Sequence, residues 1–175
     1  MRFFCSLIFC ICCLATLHTA QAQTCNANMS ASTQDSQLTD NGDGTITDSA
    51  TGLMWKKCLE GVSGDICDSG DAGSFTWQTA LQQAGLVNGG GGFAGHQDWR
   101  LPNIKELVSL VEEKCYDPSI NLNRFPNTPS SVVWSGSPSV DYPDSVRIVF
   151  FYNGVSTSGG NRTGSNLVRL VRGGQ

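Results

Sequence analysis

Ten consecutive residues, Asp98-Trp99-Arg100-Leu101-Pro102-Asn103-Ile104-Lys105-Glu106-Leu107, constrain the fold more tightly than any other stretch of this chain. Pro102 fixes its own φ and pushes Leu101 away from helical geometry. Asn103 can then accept a backbone N–H of the next turn, and Glu106, three residues on, can reach back to the cap amide. The stretch therefore predicts a strand end, a rigid turn and a helix that starts at Ile104.

The chain opens with Met-Arg-Phe-Phe and an apolar run from Cys5 to Leu17, too short for a bilayer span of about 20 residues. With Ala20-Gln21-Ala22 following, residues 1–22 read as a signal peptide cleaved after Ala22. No later run is apolar enough to cross a membrane, so the product is expected to be secreted or periplasmic and not an integral membrane protein. Residues 23–175 suit one domain, because a chain of about 150 residues buries roughly 70% of its unfolded surface. The full chain has 11 Lys and Arg against 15 Asp and Glu, a net charge of −4, and losing Arg2 with the leader makes it one unit more negative. That sign repels nucleic acid and anionic membranes at long range, and no nucleic-acid partner is expected.

Cys25, Cys58, Cys67 and Cys115 remain after the leader. An even number in an exported chain favours disulfides. Of the three pairings, Cys58 with Cys67 is preferred because it closes a short Gly- and Asp-rich loop. Cys25 is left to pair with Cys115 and tie down the N-terminal arm. Zinc is disfavoured, since Cys58 and Cys67 lack the ligand spacing and His96 is the single histidine after the leader.

Residues 23–37 are polar and without periodicity, and read as an arm or linker; a single domain follows over 38–175. Gly42-Asp43-Gly44 is a turn before the strand Thr45-Ile46-Thr47, and a second turn leads to Leu53-Met54-Trp55, which makes a hairpin. Trp77, Ala80, Leu81 and Ala84 recur at helical spacing behind a Thr76 or Ser74 cap. Ile104, Leu107, Val108, Leu110 and Val111 form one apolar face of a second helix that ends before Asp117-Pro118. The last third reads as strands at Val132–Trp134, Val146–Tyr152 and Leu167–Arg172, with Asn153-Gly154 as a type I′ hairpin turn. Two helices followed by a meander predict an α+β domain with the helices packed on an antiparallel sheet.

Six stretches, taken in order, resemble the C-terminal domain family of the Legionella collagen-like protein. They are Asn41-Gly42-Asp43-Gly44-Thr45-Ile46-Thr47-Asp48, Thr51-Gly52-Leu53-Met54-Trp55, Asp98-Trp99-Arg100-Leu101-Pro102, Phe125-Pro126-Asn127-Thr128-Pro129, Trp134-Ser135 and Val168-Arg169-Leu170-Val171-Arg172. The resemblance covers about residues 38–172 and implies an exported domain of the bacterial surface, with adhesin-like members that bind host or matrix glycans. Asp98 to Glu106 and Leu167 to Arg172 also resemble, more distantly, two landmarks of the sulfatase-modifying, C-type-lectin-like fold. That second resemblance implies a C-type-lectin-like arrangement without the enzyme's chemistry. Its late cysteines are missing here, and Trp134 is followed by Ser135-Gly136 instead of a calcium-lectin motif.

Several residues are candidates for chemistry or recognition. Asp40, Asp43 and Asp48 offer oxygen ligands for calcium, but their order fails the EF-hand pattern and turn formation accounts for them, so no metal is assigned. The acidic pair Glu112-Glu113 reads as a solvated face. His96, with Asp98 two residues away, reads as a surface-loop histidine, and no catalytic residue or cofactor is assigned. Asp98, Trp99, Arg100, Pro102, Glu106 and Arg169 are expected to be structural, with a carboxylate such as Glu106 or Asp98 pairing one of the two arginines. Trp55, Trp77 and Trp99 are expected in the core. Trp134, Tyr142, Arg147, Tyr152 and Arg162 fall in the loop-rich last third, where flat aromatic faces and planar donors suit a sugar.

Together these readings describe a secreted, disulfide-stabilised, non-enzymatic binding module, adhesin-like or glycan-binding, whose partner is an extracellular glycan or a surface protein. One alternative is a structural or assembly subunit, a homo-oligomer included, joined through a sheet edge and the arm. The other is an exported enzyme related to sulfatase modifiers.

Overall fold

The computed structural model describes residues 23–173, so the leader expected at 1–22 lies outside the described residues. The fold is α+β, built from small antiparallel sheets, two helices and two disulfides. Strands β3 (Thr45–Asp48) and β4 (Leu53–Lys56) form the expected hairpin, and β2 (Leu38–Asp40), not expected as a strand, pairs with β3 to make it a meander. Its turns are held by aspartates. Asp43 accepts the Thr45 N–H, and the fully buried Asp48 accepts from Gln37 Nε2, the Ala50 N–H and the Thr51 hydroxyl at 3.0, 2.9 and 2.7 Å. Gly42 and Gly44 take φ of +75° and +86°, which an L side chain resists. The C-terminal strand β11 (Val171–Arg172) adds to β4, opposite Trp55 and Met54.

Helix α1 (Trp77–Gly89) starts at an N-cap Thr76 that accepts the Thr79 N–H. Helix α2 (Ile104–Val108) carries the expected capping box between Asn103 and Glu106. It is shorter than its apolar pattern suggests. The Ser109 hydroxyl donates back to the Glu106 carbonyl at 2.7 Å, and the Leu110 and Val111 N–H groups reach only three residues back. Val111 then bridges Ile120. Ile104, Leu107, Leu110 and Val111 are all buried nonetheless, because one helical turn followed by a tighter one places the same side chains inward.

The sheet expected as one unit divides into a four-stranded sheet, a three-stranded sheet and two ribbons. Strands β8 (Val132–Pro138), β9 (Ser145–Phe150) and β10 (Ser156–Asn161) form the three-stranded sheet, in which β9 is central. Both of its faces are covered. Val133, Val149 and Phe151 enter one core with Ile46, Trp55 and Leu107, whereas Trp134, Val146 and Ile148 enter a second with Ala80 and Ala84 of α1, Trp99 and Leu170. The Asn153-Gly154 pair does lie between β9 and β10, but in a wider loop than a type I′ turn. Phe150 N–H donates to Val155 O and Gly154 N–H to Phe150 O, and of the two central residues only Gly154 has positive φ. Leu167 to Leu170 is not a regular strand: it makes a parallel bridge to Val133 and gives its carbonyls to Lys56 and Glu60 N–H.

The arm over 23–37 is docked on the domain. β1 (Thr24–Cys25) pairs with β7 (Cys115–Tyr116), and the Cys25–Cys115 disulfide joins opposed residues of that ribbon. Gln23 Nε2 donates to the Pro118 and Ile120 carbonyls at 2.7 and 2.6 Å. Glu112, expected in a solvated acidic face, is 3% exposed. Its carboxylate accepts the Ser32 and Thr33 N–H groups and both hydroxyls at 2.8–3.2 Å. Ribbon β5 (Val62–Ser63) with β6 (Ser69–Gly70) surrounds the Cys58–Cys67 disulfide, the second of the preferred pairings.

Candidate functional site

The residues expected to be structural carry the frame. Arg100 holds Glu106 in a bidentate pair, 2.7 Å at each oxygen, while Glu106 also closes the capping box. Burial raises the Glu106 pKa, but the hydrogen bonds from Arg100 and Asn103 outweigh it and leave the carboxyl below its ordinary value. Asp98 pairs instead with Arg172, at 2.8 Å. Arg169, 1% exposed, donates to the Lys56 and Lys57 carbonyls and the Thr128 hydroxyl, and lies over the Phe125 ring. Burial pulls its pKa down to about 9, which leaves it cationic at neutral pH.

The five side chains proposed for sugar recognition do not form one site. Trp134 is corrected: it is fully buried, its Nε1 donates to the Phe75 carbonyl at 2.6 Å, and its ring offers no face to a ligand. Strand alternation would expose it only if one sheet face met solvent, and here α1 covers that face. Tyr142 and Tyr152 are exposed, but they flank opposite ends of β9. A six-residue strand keeps such ends about 20 Å apart. Arg147 is exposed on β9 between them.

Arg162, of this set, lines a cavity. Its guanidinium lies over the Trp77 ring, 4.6 Å from the centroid, and its carbonyl accepts the Trp77 N–H at 3.1 Å. The indole Nε1 donates to the Ser135 carbonyl at 3.0 Å, so strand β8 holds the ring that supports the cation. Thr76, Gln78, Leu81 and Thr163 complete a pocket of about 410 Å³. Its chemistry is an apolar ring and a half-exposed leucine beside two hydroxyls, an amide and a guanidinium. Trp77, expected in the core, is half-buried. Its position was readable: a tryptophan directly after a cap sits at the helix end, with no preceding turn to pack against.

Two other cavities lie elsewhere. One, of about 400 Å³, runs between the docked arm and the segment from Glu112 to Asn123. The other, of about 260 Å³, lies between the Gly42–Gly44 turn, Lys56 and Phe93. Asp40, Asp43 and Asp48 are not brought together as a calcium cage. Asp40 accepts from Lys57 Nζ at 2.8 Å, and Asp43 and Asp48 are occupied by their own turns. Among the described residues no cluster of three or more His, Cys, Asp or Glu side chains is arranged to hold a metal ion.

The arrangement of the Asp48 turn, the Arg100–Glu106 cap and the returning C-terminal strand spans the region matched by a family model. The Lcl C-terminal domain model matches residues 44–172. This chain belongs to that family. No curated protein matches the chain. The Lcl C-terminal domain match takes in Trp77 and Arg162 and begins after the docked arm. No helix among the described residues is long and apolar enough to cross a membrane, and the two disulfides fit an oxidising compartment.

Proposed function

We propose that this Lcl C-terminal domain chain is a secreted, adhesin-like module of the bacterial surface that binds a glycan without transforming it. The observation that carries the reading is the Trp77–Arg162 pocket, where a fixed aromatic ring, an apolar side chain and planar or hydroxyl donors converge. Sugars present C–H faces that pack on apolar surface and hydroxyls that need donors and acceptors, and the lining supplies both. Its ring and guanidinium are braced before any ligand arrives, which lowers the ordering cost of binding. The C-type-lectin-like arrangement belongs to the same proposal, supported by the return of β11 beside the N-terminal meander and by the Arg100–Val171 bridge that ties the Arg-Leu-Pro turn to it.

The test is a glycan array with oxidised residues 23–175 and with Trp77→Ala. A specific signal that Trp77→Ala removes is expected. A blank array from folded protein overturns the reading and favours assembly through a sheet edge. One observation supports that second reading: β10 is an outer strand and reads Ser-Thr-Ser-Gly-Gly-Asn, without the charges that usually guard an edge.

A further inference from the structure

We infer that the Trp77–Arg162 pocket takes a sugar bearing a single carboxylate, presented at a chain end, in preference to a neutral sugar or a polysulfated polymer. This rests on the binding reading above and names its ligand class. Three observations carry it.

First, the cavities differ in charge. The arm cavity sets Lys114 beside Asp35 and Glu112, and the Gly42–Gly44 cavity sets Lys56 beside Asp43 and Asp65. The Trp77–Arg162 pocket has a cation and no carboxylate in its lining. The first turn of α1, part of the same wall, carries no acidic side chain, so its partial positive charge adds to that of Arg162.

Second, the guanidinium is free to bind. No described carboxylate forms an ion pair with Arg162, and its Nε is buried without a hydrogen-bond partner. A planar fork seated over an indole, 4.6 Å from its centroid, can match the two oxygens of a carboxylate, and the contact leaves less side-chain freedom to be lost.

Third, the rest of the surface disfavours a polyanion. Lys56, Lys57, Arg100, Arg124 and Arg172 are neutralised by carboxylates, and Arg169 is buried. Beyond Arg162 this leaves Lys105, Lys114 and Arg147 outside ion pairs among the described residues, on a chain of net negative charge. A sulfated polymer needs a track of cations within a Debye length, about 8–10 Å, of its successive charges, and here most of them would meet acidic surface. A single terminal carboxylate needs only Arg162. A pocket of about 410 Å³ is at the small end of ligand sites, which suits a chain end.

The experiment is calorimetric titration of oxidised residues 23–175 with four probes: methyl β-D-glucuronide, the methyl α-glycoside of N-acetylneuraminic acid, methyl β-D-glucoside and a heparin hexasaccharide. One or both acidic monosaccharides should bind at least about tenfold more tightly than the glucoside, and which of them does so identifies the source of the carboxylate. Arg162→Gln should abolish the preference. Leu81→Glu, at an exposed position on the pocket wall, should also abolish it by repulsion without disturbing the stacked pair. Equal affinity for glucoside and both acids would overturn the ligand class while leaving the binding reading intact. Tighter heparin binding that ignores both substitutions would overturn it as well. Silence from all four probes, with a native near-ultraviolet dichroism spectrum, would remove the binding reading and this inference together.

Discussion

Trp134 shows how one side chain depends on what covers its sheet. Its neighbours Val132, Val133 and Ile148 alternate between two cores, and Gly160 on β10 passes so close that a Cβ there would lie 3.0 Å from the indole. Trp134→Ala should therefore act on stability and cost about 3–5 kcal/mol, measured by urea unfolding of the oxidised protein. A loss under 1 kcal/mol would mean that the ring is not enclosed. Local chemistry was legible at this scale. Asn103, Glu106 and Arg100 act on neighbours within a few residues, so their capping box and ion pair follow from spacing. Trp134 lies in the core and not at the surface because α1 lies against β8, a contact that no local pattern encodes, whereas Trp77, at the end of α1, is half-buried against the same core.

Among the elements, the arm departs furthest from its sequence appearance. A polar segment without periodicity reads as a linker because periodicity records apolar burial alone. This one is held by backbone N–H groups and hydroxyls donated to one carboxylate far along the chain. Burial raises the Glu112 pKa, but the donors from Thr33, Ser32 and Lys114 outweigh it and hold the carboxyl below its ordinary value. The unfolded carboxyl titrates near about 4.3, so this stabilisation is complete above that pH and is lost as pH falls through the lower, folded value. Hydrogen-exchange protection at Ser32 and Thr33 should thus persist through mildly acidic pH and be lost only as the pH falls below the ordinary carboxyl range. Glu112→Ala should remove it already at neutral pH, at a cost of about 2–3 kcal/mol for the stranded donors. Protection unchanged in that variant would mean that the disulfide, the β1–β7 ribbon and the Gln23 and Asn121 hydrogen bonds hold the arm without Glu112. Strand and helix positions were largely legible, whereas their ends were not. Helix α2 stops early because Ser109 turns its hydroxyl on its own backbone, a competition that an apolar pattern cannot register.

For the molecule as a whole, the pairing of the four cysteines was legible from count and loop length, while the division into several small sheets was not. Which strands share a ladder depends on long-range returns such as β11 onto β4. The Cys25–Cys115 bond closes a loop with a sequence separation of 90. On the loop-entropy estimate it stabilises by about 4–5 kcal/mol. Cys25→Ser with Cys115→Ser should then lower Tm by roughly 10–15 °C in calorimetry, at 2–4 °C per kcal/mol for a domain of this size. A change of a degree or two would place the constraint elsewhere.

The same bond sets how the domain bears tension. Pull on residues 23 and 173, and the load passes from Cys25 through sulfur to Cys115, bypassing everything between them. The meander, α1, the Arg100–Glu106 cap and Trp77 all lie inside that bypass. Only the stretch after residue 115 can pay out, about 200 Å when fully extended, against roughly 500 Å for the reduced chain. The Trp77–Arg162 pocket straddles that divide, so tension on the two ends would load the wall that carries Arg162 and spare the wall that carries Trp77.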